Sequence, residues 1–285
     1  GLEKEELVRR LPPAQDAARA RRFGAQGIGL MPGEMKMLEY TFAASGTYKA
    51  GCHLNGHYTS GEMATISIDD EGVPTRGKLP LTLGHELCGT VVAMGSSVTG
   101  VSEGDYVSAE SHVTCGDCFH CRTGKAHMCE QTRILGVDRD GGFADFVAVP
   151  SSVVWQNDRA KLPPELACLQ EPFGNAVFAT STQDLAGRAV AVLGCGPVGL
   201  FAIAIARAFG AGRLLASDHV PYRLELARTL GADDVVNVDE VDSVTDWFHE
   251  HNEGEGMGVV FEMSGALRAI EDAFGIVRHG GNVVL

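Results

Sequence analysis

The chain has 285 residues, 45% of them hydrophobic, and a formal net charge of −14 from 37 acidic against 23 basic side chains. That is enough apolar material for a sizeable core in one or two domains, and the acidic balance excludes an extended phosphate backbone as a partner. No apolar run reaches the length of a membrane span, and eight cysteines spread over this length do not make a disulfide-stapled secreted domain.

Residues 1–34 read as an N-terminal extension. The basic cluster Arg19, Arg21 and Arg22, with Arg9 and Arg10 before it, belongs to a stretch that reads as an amphipathic helix with acidic Glu3, Glu5 and Glu6. This is either a solvated helix face or an Arg-bearing targeting extension. The charged opening GLEKEELVRR is not expected to be a signal peptide, so the expected compartment is the reducing cytoplasm.

Residues 35–180 carry short β-branched runs between Gly and Pro punctuation, such as GTVVAMG, GDYVSAE and FADFVAVP, which predict a largely β domain with irregular loops. Within it, AGCHLNGHY supplies Cys52 as a possible soft metal ligand. After LPLTL, His85 and Glu86 stand side by side at a turn behind Gly84, which by itself is no more than a surface pair. Then comes the run Cys115, Cys118, Cys121, Cys129, spaced C-x2-C-x2-C-x7-C. Four thiolates at such spacing can converge tetrahedrally on one zinc in a closed, structural site; a redox or disulfide role is the alternative. Near the domain's end, Glu171 in LQEPFGNAV is a carboxylate among apolar residues, costly to bury unless paired or metal-bound.

From 181 to 285 the period changes, and apolar strands alternate with amphipathic helices as βαβ units do in a parallel sheet covered by helices. The strand at 189–193 runs into Gly194-Cys195-Gly196-Pro197-Val198-Gly199, which opens a helix near Pro197. That is the setting of a dinucleotide loop: the first glycine makes the turn, the second admits pyrophosphate, and the third lets helix and strand pack. Asp218 lies 19 residues past Gly199 at the end of RLLASD, where a carboxylate accepts from a ribose and repels a 2′-phosphate, favouring NAD over NADP. Arg223, five residues on, either contacts adenine or ribose or is a solvated helix residue. LRAIEDAFGIVRHGG reads as one further helical stretch, and NVVL as a strand at the end of the chain. A doubly wound sheet normally continues, so a fragment or shortened variant with an unpaired edge strand is expected.

Taken together, GHE, the four-cysteine loop, GVDRDGGFADFVAVP, LQEPFGNAV and GCGPVG with Asp218 resemble the zinc-dependent medium-chain alcohol dehydrogenases, most of all their L-threonine 3-dehydrogenase branch. The resemblance runs through residues 79–285 in unbroken order. It implies a GroES-like catalytic domain at 35–180 followed by an incomplete Rossmann domain at 181–285, with the active site in the cleft between them. It implies two zinc ions per chain: a catalytic one on Cys52, His85, Glu86 and Glu171, and a structural one on Cys115, Cys118, Cys121 and Cys129. It further implies NAD contacts at Val198, Asp218 and Arg223 beside Gly194, Gly196 and Gly199, and a place for His112 near the substrate.

The chain departs from the family where the first ligand usually stands in C-G-T-D-x-H or C-H-[ST]-D-x-H. Leu54 replaces the relay hydroxyl and Asn55 the acid, while His57 keeps its place five residues beyond Cys52; if a short deletion lies here, His53 is the remnant relay instead. The expected reaction is hydride transfer from a secondary alcohol to NAD, with L-threonine giving 2-amino-3-oxobutanoate. A polyol or sorbitol-type dehydrogenase, and an inactive zinc- or NAD-binding relative, are the alternatives. The expected partner is a small alcohol, not nucleic acid or membrane, and with the family's full C-terminal segment the expected assembly is a homodimer or homotetramer.

Overall fold

The computed structural model describes residues 46–51, 63–68 and 81–285. The chain divides between Glu171 and Pro172 into two units. The first is assembled from short antiparallel pieces. Strands β1 (Gly46–Gly51) and β2 (Met63–Ile68) form one ribbon. Strands β3 (Cys88–Thr90), β4 (Tyr106–Ala109) and β7 (Val154–Gln156) form a three-stranded sheet with β4 in the middle. All four β4 residues are buried, which suits a central strand, and the Ser108 hydroxyl donates to the Ala167 carbonyl at 2.8 Å. That bond ties the sheet to the one-turn helix α2 (Pro164–Ala167).

Strand β5 (His112–Val113) pairs with β6 (Arg133–Ile134), and between them lie the four cysteines and the single turn α1 (Phe119–Arg122). FADFVAVP, expected as a strand, forms none. Its backbone is engaged only at scattered points, with Phe143 N–H donating to the Leu83 carbonyl at 2.9 Å, the Ala148 carbonyl accepting from the Arg139 guanidinium at 3.1 Å and the Pro150 carbonyl from Val153 N–H at 3.2 Å, and Phe146 is left 75% exposed. Alternation makes a strand only where an edge is offered to pair with, and among the described residues no neighbour runs beside 144–149.

In the second unit, helix α3 (Gln170–Ser181) crosses the division and leads to β8 (Ala189–Leu193), α4 (Pro197–Ala208), β9 (Arg213–Asp218), α5 (Pro221–Leu230) and β10 (Asp234–Asn237). Next come α6 (Val244–Glu250), β11 (Met257–Glu262), α7 (Leu267–Ile276) and β12 (Val277–Val284). All five strands are parallel, in the order β10-β9-β8-β11-β12. Val190 and Val192 pack with Ile203 and Leu224 on one face of the sheet; Leu193 and Leu215 pack with Phe248 and Ile276 on the other. Both faces are covered, which is why β8 and the centres of β9 and β11 read as apolar runs.

The predicted helix through GIVRHGG stops early, because Val277 pairs with Met257. Gly256 permits this approach, since a Cβ there would lie 2.7 Å from the Arg278 nitrogen. Among the described residues no helix is long and apolar enough to cross a membrane.

Candidate metal and dinucleotide sites

The four cysteine sulfurs lie within 4.8 Å of one another. Sγ of Cys115 is 3.9 Å from that of Cys121 and 3.6 Å from that of Cys129. A tetrahedron with zinc–sulfur bonds of about 2.3 Å has edges of about 3.8 Å, so the cage fits zinc. It does not suit a disulfide, whose sulfurs must close to about 2.05 Å. Backbone N–H groups of Cys118 and Gln131 donate to the sulfurs of Cys115 and Cys129, each at 3.4 Å, and Cys115 N–H also donates to Cys129. Such donors favour thiolate over thiol, and the Cys115 amide is the main cause that lowers the Cys129 thiol to about 6.

The second cluster joins distant segments: ligand atoms of His85, Glu86 and Glu171 also lie within 4.8 Å of one another. The turn that presents His85 is fixed by backbone packing. Gly84 has φ +95°, and a Cβ there would meet the Phe143 ring at 2.5 Å. Gly141 lies so close that its own Cβ would fall 1.9 Å from the Gly84 carbonyl oxygen. Gly142 N–H donates to that oxygen at 2.8 Å, and Gly141 N–H donates to the Thr82 carbonyl at 2.8 Å. The GVDRDGGF segment is therefore the clasp of the GHE turn. Glu171 enters from the first turn of α3, 7% exposed, and accepts from the Ser111 hydroxyl at 2.6 Å. Histidine nitrogen and carboxylate oxygens suit zinc as ligands, so the donor chemistry fits. Cys52, His53, Leu54, Asn55 and His57 lie outside the described residues.

Sequence reasoning missed Glu110 and Ser111. His112 Nδ1 is 2.6 Å from Glu110 Oε1 and 3.1 Å from Ser111 Oγ, so the tripeptide joins His112 to Glu171 through one hydroxyl. No spacing rule marks these residues; their place directly before the cysteine loop was the only available signal.

At the C-terminal end of β8 the strand order reverses, with β9 on one side and β11 on the other. Dinucleotides bind at such switch points. Gly196 caps α4 with no side chain, and a Cβ there would meet nothing within 4 Å, so the cradle is open for a phosphate at the helix N-terminus. Gly199 is the opposite case, because its Cβ would fall 1.9 Å from the Gly194 carbonyl oxygen. Cys195 is buried in the core, and Val198 packs beside Ala202 and Ile205.

Asp218 is buried and already occupied: Oδ2 accepts from Cys195 N–H at 2.7 Å and Oδ1 from Val220 N–H at 2.8 Å. Arg223 Nη1 stands 3.9 Å from the same carboxylate. The acid is thus a clasp on the glycine loop as well as a candidate ribose acceptor. Asp218→Ala leaves two amide donors without their acceptor, at about 1–3 kcal/mol each. Differential scanning fluorimetry without cofactor is expected to show a lowered melting temperature; an unchanged one would contradict the clasp.

Residues 46–159 match the family described as alcohol dehydrogenase GroES-like domain, and residues 197–285 match the zinc-binding dehydrogenase family. The chain is 47% identical to an L-threonine 3-dehydrogenase of Bacillus licheniformis over 75% of its own length and 61% of that protein's. It is 46% identical to one of Symbiobacterium thermophilum over 74% of its own length and 59% of that protein's. It therefore spans about six tenths of the length of these curated relatives. Among solved structures, the alcohol dehydrogenase of Thermus sp. ATN1 is similar with a TM-score of 0.68 at 28% identity, covering 88% of this chain and 72% of that one. With both family matches in sequence order, a GroES-like part followed by a parallel nucleotide-type sheet, the chain belongs to the zinc-dependent medium-chain alcohol dehydrogenases.

Proposed function

We propose that this chain carries the zinc and NAD machinery of a dehydrogenase that oxidises L-threonine to 2-amino-3-oxobutanoate. The observation that carries the reading is the meeting of His85, Glu86 and Glu171 within 4.8 Å, in a chain that also presents an open glycine cradle at Gly196. Threonine is favoured over a polyol by the names of the relatives at 46–47% identity. NAD is favoured over NADP by the Asp218 carboxylate, which would repel a 2′-phosphate. Two zinc ions per chain are proposed, one for the cysteine cage and one for His85, Glu86 and Glu171 with Cys52.

Zinc, when bound, acts as a Lewis acid on the alcohol oxygen. The chain's own residues do the rest. His85 and Glu86 present donors from a turn locked by Gly84 and Gly141. Glu171 is oriented by the Ser111 hydroxyl. The Gly194–Gly199 loop, clasped by Asp218, receives the cofactor phosphates. For the alcohol proton we propose His57 or His53 with water, because Leu54 has no hydroxyl to pass it on.

The test is elemental analysis for zinc together with NADH absorbance on addition of L-threonine, with sorbitol as the comparison. About two zincs per chain and threonine-dependent NADH are expected. NADH formation with sorbitol alone would move the substrate to polyols. Full zinc loading without turnover on either substrate would overturn the dehydrogenase reading for this chain.

A further inference from the structure

Strands β8 and β11 leave the sheet side by side. Glu262, the last residue of β11, is in register with Leu193, the last of β8, and Met263 N–H donates to the Leu193 carbonyl at 2.8 Å. From there β8 enters the glycine loop at Gly194, and β11 enters the turn at 263–266. The two turns touch. A Cβ on Gly194 would lie 2.8 Å from the Ser264 Cβ and 2.9 Å from the Ser264 nitrogen, and one on Gly199 would lie 3.5 Å from the Met263 Cβ. On its other side Gly194 N–H donates to the Ser217 carbonyl at 2.8 Å, so Gly194 is held between β9 and the 263–266 turn.

Glu262 shapes that turn. Its Oε1 accepts from Ser264 N–H at 2.8 Å, from the Ser264 hydroxyl, and from Gly265 N–H at 3.2 Å; its Oε2 accepts from the same Gly265 N–H at 3.1 Å. The Ser264 oxygen in turn accepts from Ala266 N–H at 3.1 Å. Gly265 has φ +68°, and successive N–H groups with a left-handed residue among them form a concavity for an anion. Here the anion is the chain's own carboxylate. Glu262 is 7% exposed, whereas Ser264, Gly265 and Ala266 are all exposed. No side-chain core lies over the turn, so the carboxylate holds it from beneath.

We propose that Glu262 is a positioning residue for the cofactor: it folds the 263–266 turn onto Gly194 and so sets the glycine loop in the shape that receives the pyrophosphate. The cofactor step rests on the NAD reading given above, and the turn step on the contacts alone. Asp218 clasps the loop at Cys195 from β9, and Glu262 acts from β11, so the turn after β8 is held by a buried carboxylate from each flanking strand.

Both steps are read on the full chain, as wild type, Glu262→Ala and Glu262→Gln. Alanine removes every accepting oxygen. Glutamine keeps one, but its amide group then opposes Gly265 N–H, so the same effect is expected at smaller size. For the turn step, hydrogen exchange of the Gly194 amide, followed by NMR, is expected to quicken about tenfold in Glu262→Ala and about threefold in Glu262→Gln, while the Leu215 amide in the middle of β9 keeps its wild-type rate. Unchanged exchange at Gly194 in both variants overturns the proposal. Equal quickening at Leu215 also overturns it, because the effect would then be general destabilisation.

For the cofactor step, calorimetric titration with NAD is run at a temperature where circular dichroism shows each variant folded. Affinity is expected to fall about tenfold in Glu262→Ala and about threefold in Glu262→Gln, with zinc content unchanged in both. Variants that melt lower yet bind NAD as the wild type does would make Glu262 structural only and overturn the cofactor step. If Glu262→Ala does not fold, Glu262→Gln decides by the same readings, and wild-type behaviour in it overturns the proposal. A wild type that binds no NAD would overturn the NAD reading and the cofactor step with it, while exchange at Gly194 still decides the turn step.

Discussion

Cys121→Ser is expected to release one zinc per chain and to open the 115–129 loop to proteolysis. The reason lies in how little else holds this loop. Its only regular elements are the single turn α1 and a 3-10 turn at Ala126–Met128, neither of which has a buried residue or a side-chain cap. Phe119 and Met128, the apolar side chains that could have formed a small core, are exposed. Beyond local turn hydrogen bonds, what gathers the loop is backbone N–H groups aimed at sulfur, the arrangement of a thiolate cage around a cation. Serine is close in size to cysteine, so steric disturbance is small, but a hydroxyl does not replace a thiolate on zinc. Metal binding displaces protons from the thiols, so zinc is expected to leave the cage as pH falls. Elemental analysis and limited proteolysis of Cys121→Ser and the wild type provide the check. A variant that keeps its full zinc and its resistance to cleavage would show that the loop holds itself together.

The parts of the fold legible in the sequence are those whose physics is local. AVAVL and the LLA centre of RLLASD read as strands because helices cover both faces of the sheet, so their middles are wholly apolar. The helix expected near Pro197 starts there because proline suits the first helical position and Gly196 ends the strand-to-helix turn. The cysteine cage was legible for the same reason, since its ligands lie within one short loop. Elsewhere the deciding contact was distant. Val277 leaves the helix because Met257 offers it a strand edge, and FADFVAVP finds no such edge. The approach of Glu171 to His85 and Glu86 crosses most of the first unit and has no periodicity to reveal it, so only the resemblance to a family suggested it. Glu110 and Ser111 carried no signal beyond their place just before the cysteine loop, because a hydrogen-bond chain is a property of three-dimensional placement and not of spacing. Gly141 is a related case: its lack of a side chain reads as loop punctuation, whereas its use is to let one backbone segment lie against Gly84.

The glycines of the dinucleotide loop give a paired result in which both substitutions weaken NAD binding and only one lowers stability. In Gly199→Ala the new Cβ would fall 1.9 Å from the Gly194 carbonyl oxygen. Neither side of that contact yields readily. Gly194 N–H is held by the Ser217 carbonyl at 2.8 Å, and a Cβ at Gly194 would itself meet Ser264 at 2.8 Å. On the other side, α4 is packed through Ala202, Ile203 and Ala206, all fully buried. The first turn of α4 must therefore separate from β8, at the cost of overpacking, about 1–3 kcal/mol. For a unit of this size that is a fall of roughly 4–8 °C in melting temperature per kcal/mol. The same separation spoils the phosphate cradle, so NAD affinity is expected to drop by a factor of about 100 or more.

Gly196→Ala should behave differently, because among the described residues its Cβ meets no non-neighbouring atom within 4 Å. Melting temperature should stay near the wild-type value while NAD binding weakens, since the methyl group would occupy the space proposed for the pyrophosphate. Calorimetric titration with NAD beside thermal melting of both variants separates the two glycines. If Gly196→Ala binds NAD as the wild type does, the open face of the loop is not where the phosphates lie. If Gly199→Ala melts unchanged, the close packing of α4 on β8 is not what this glycine provides.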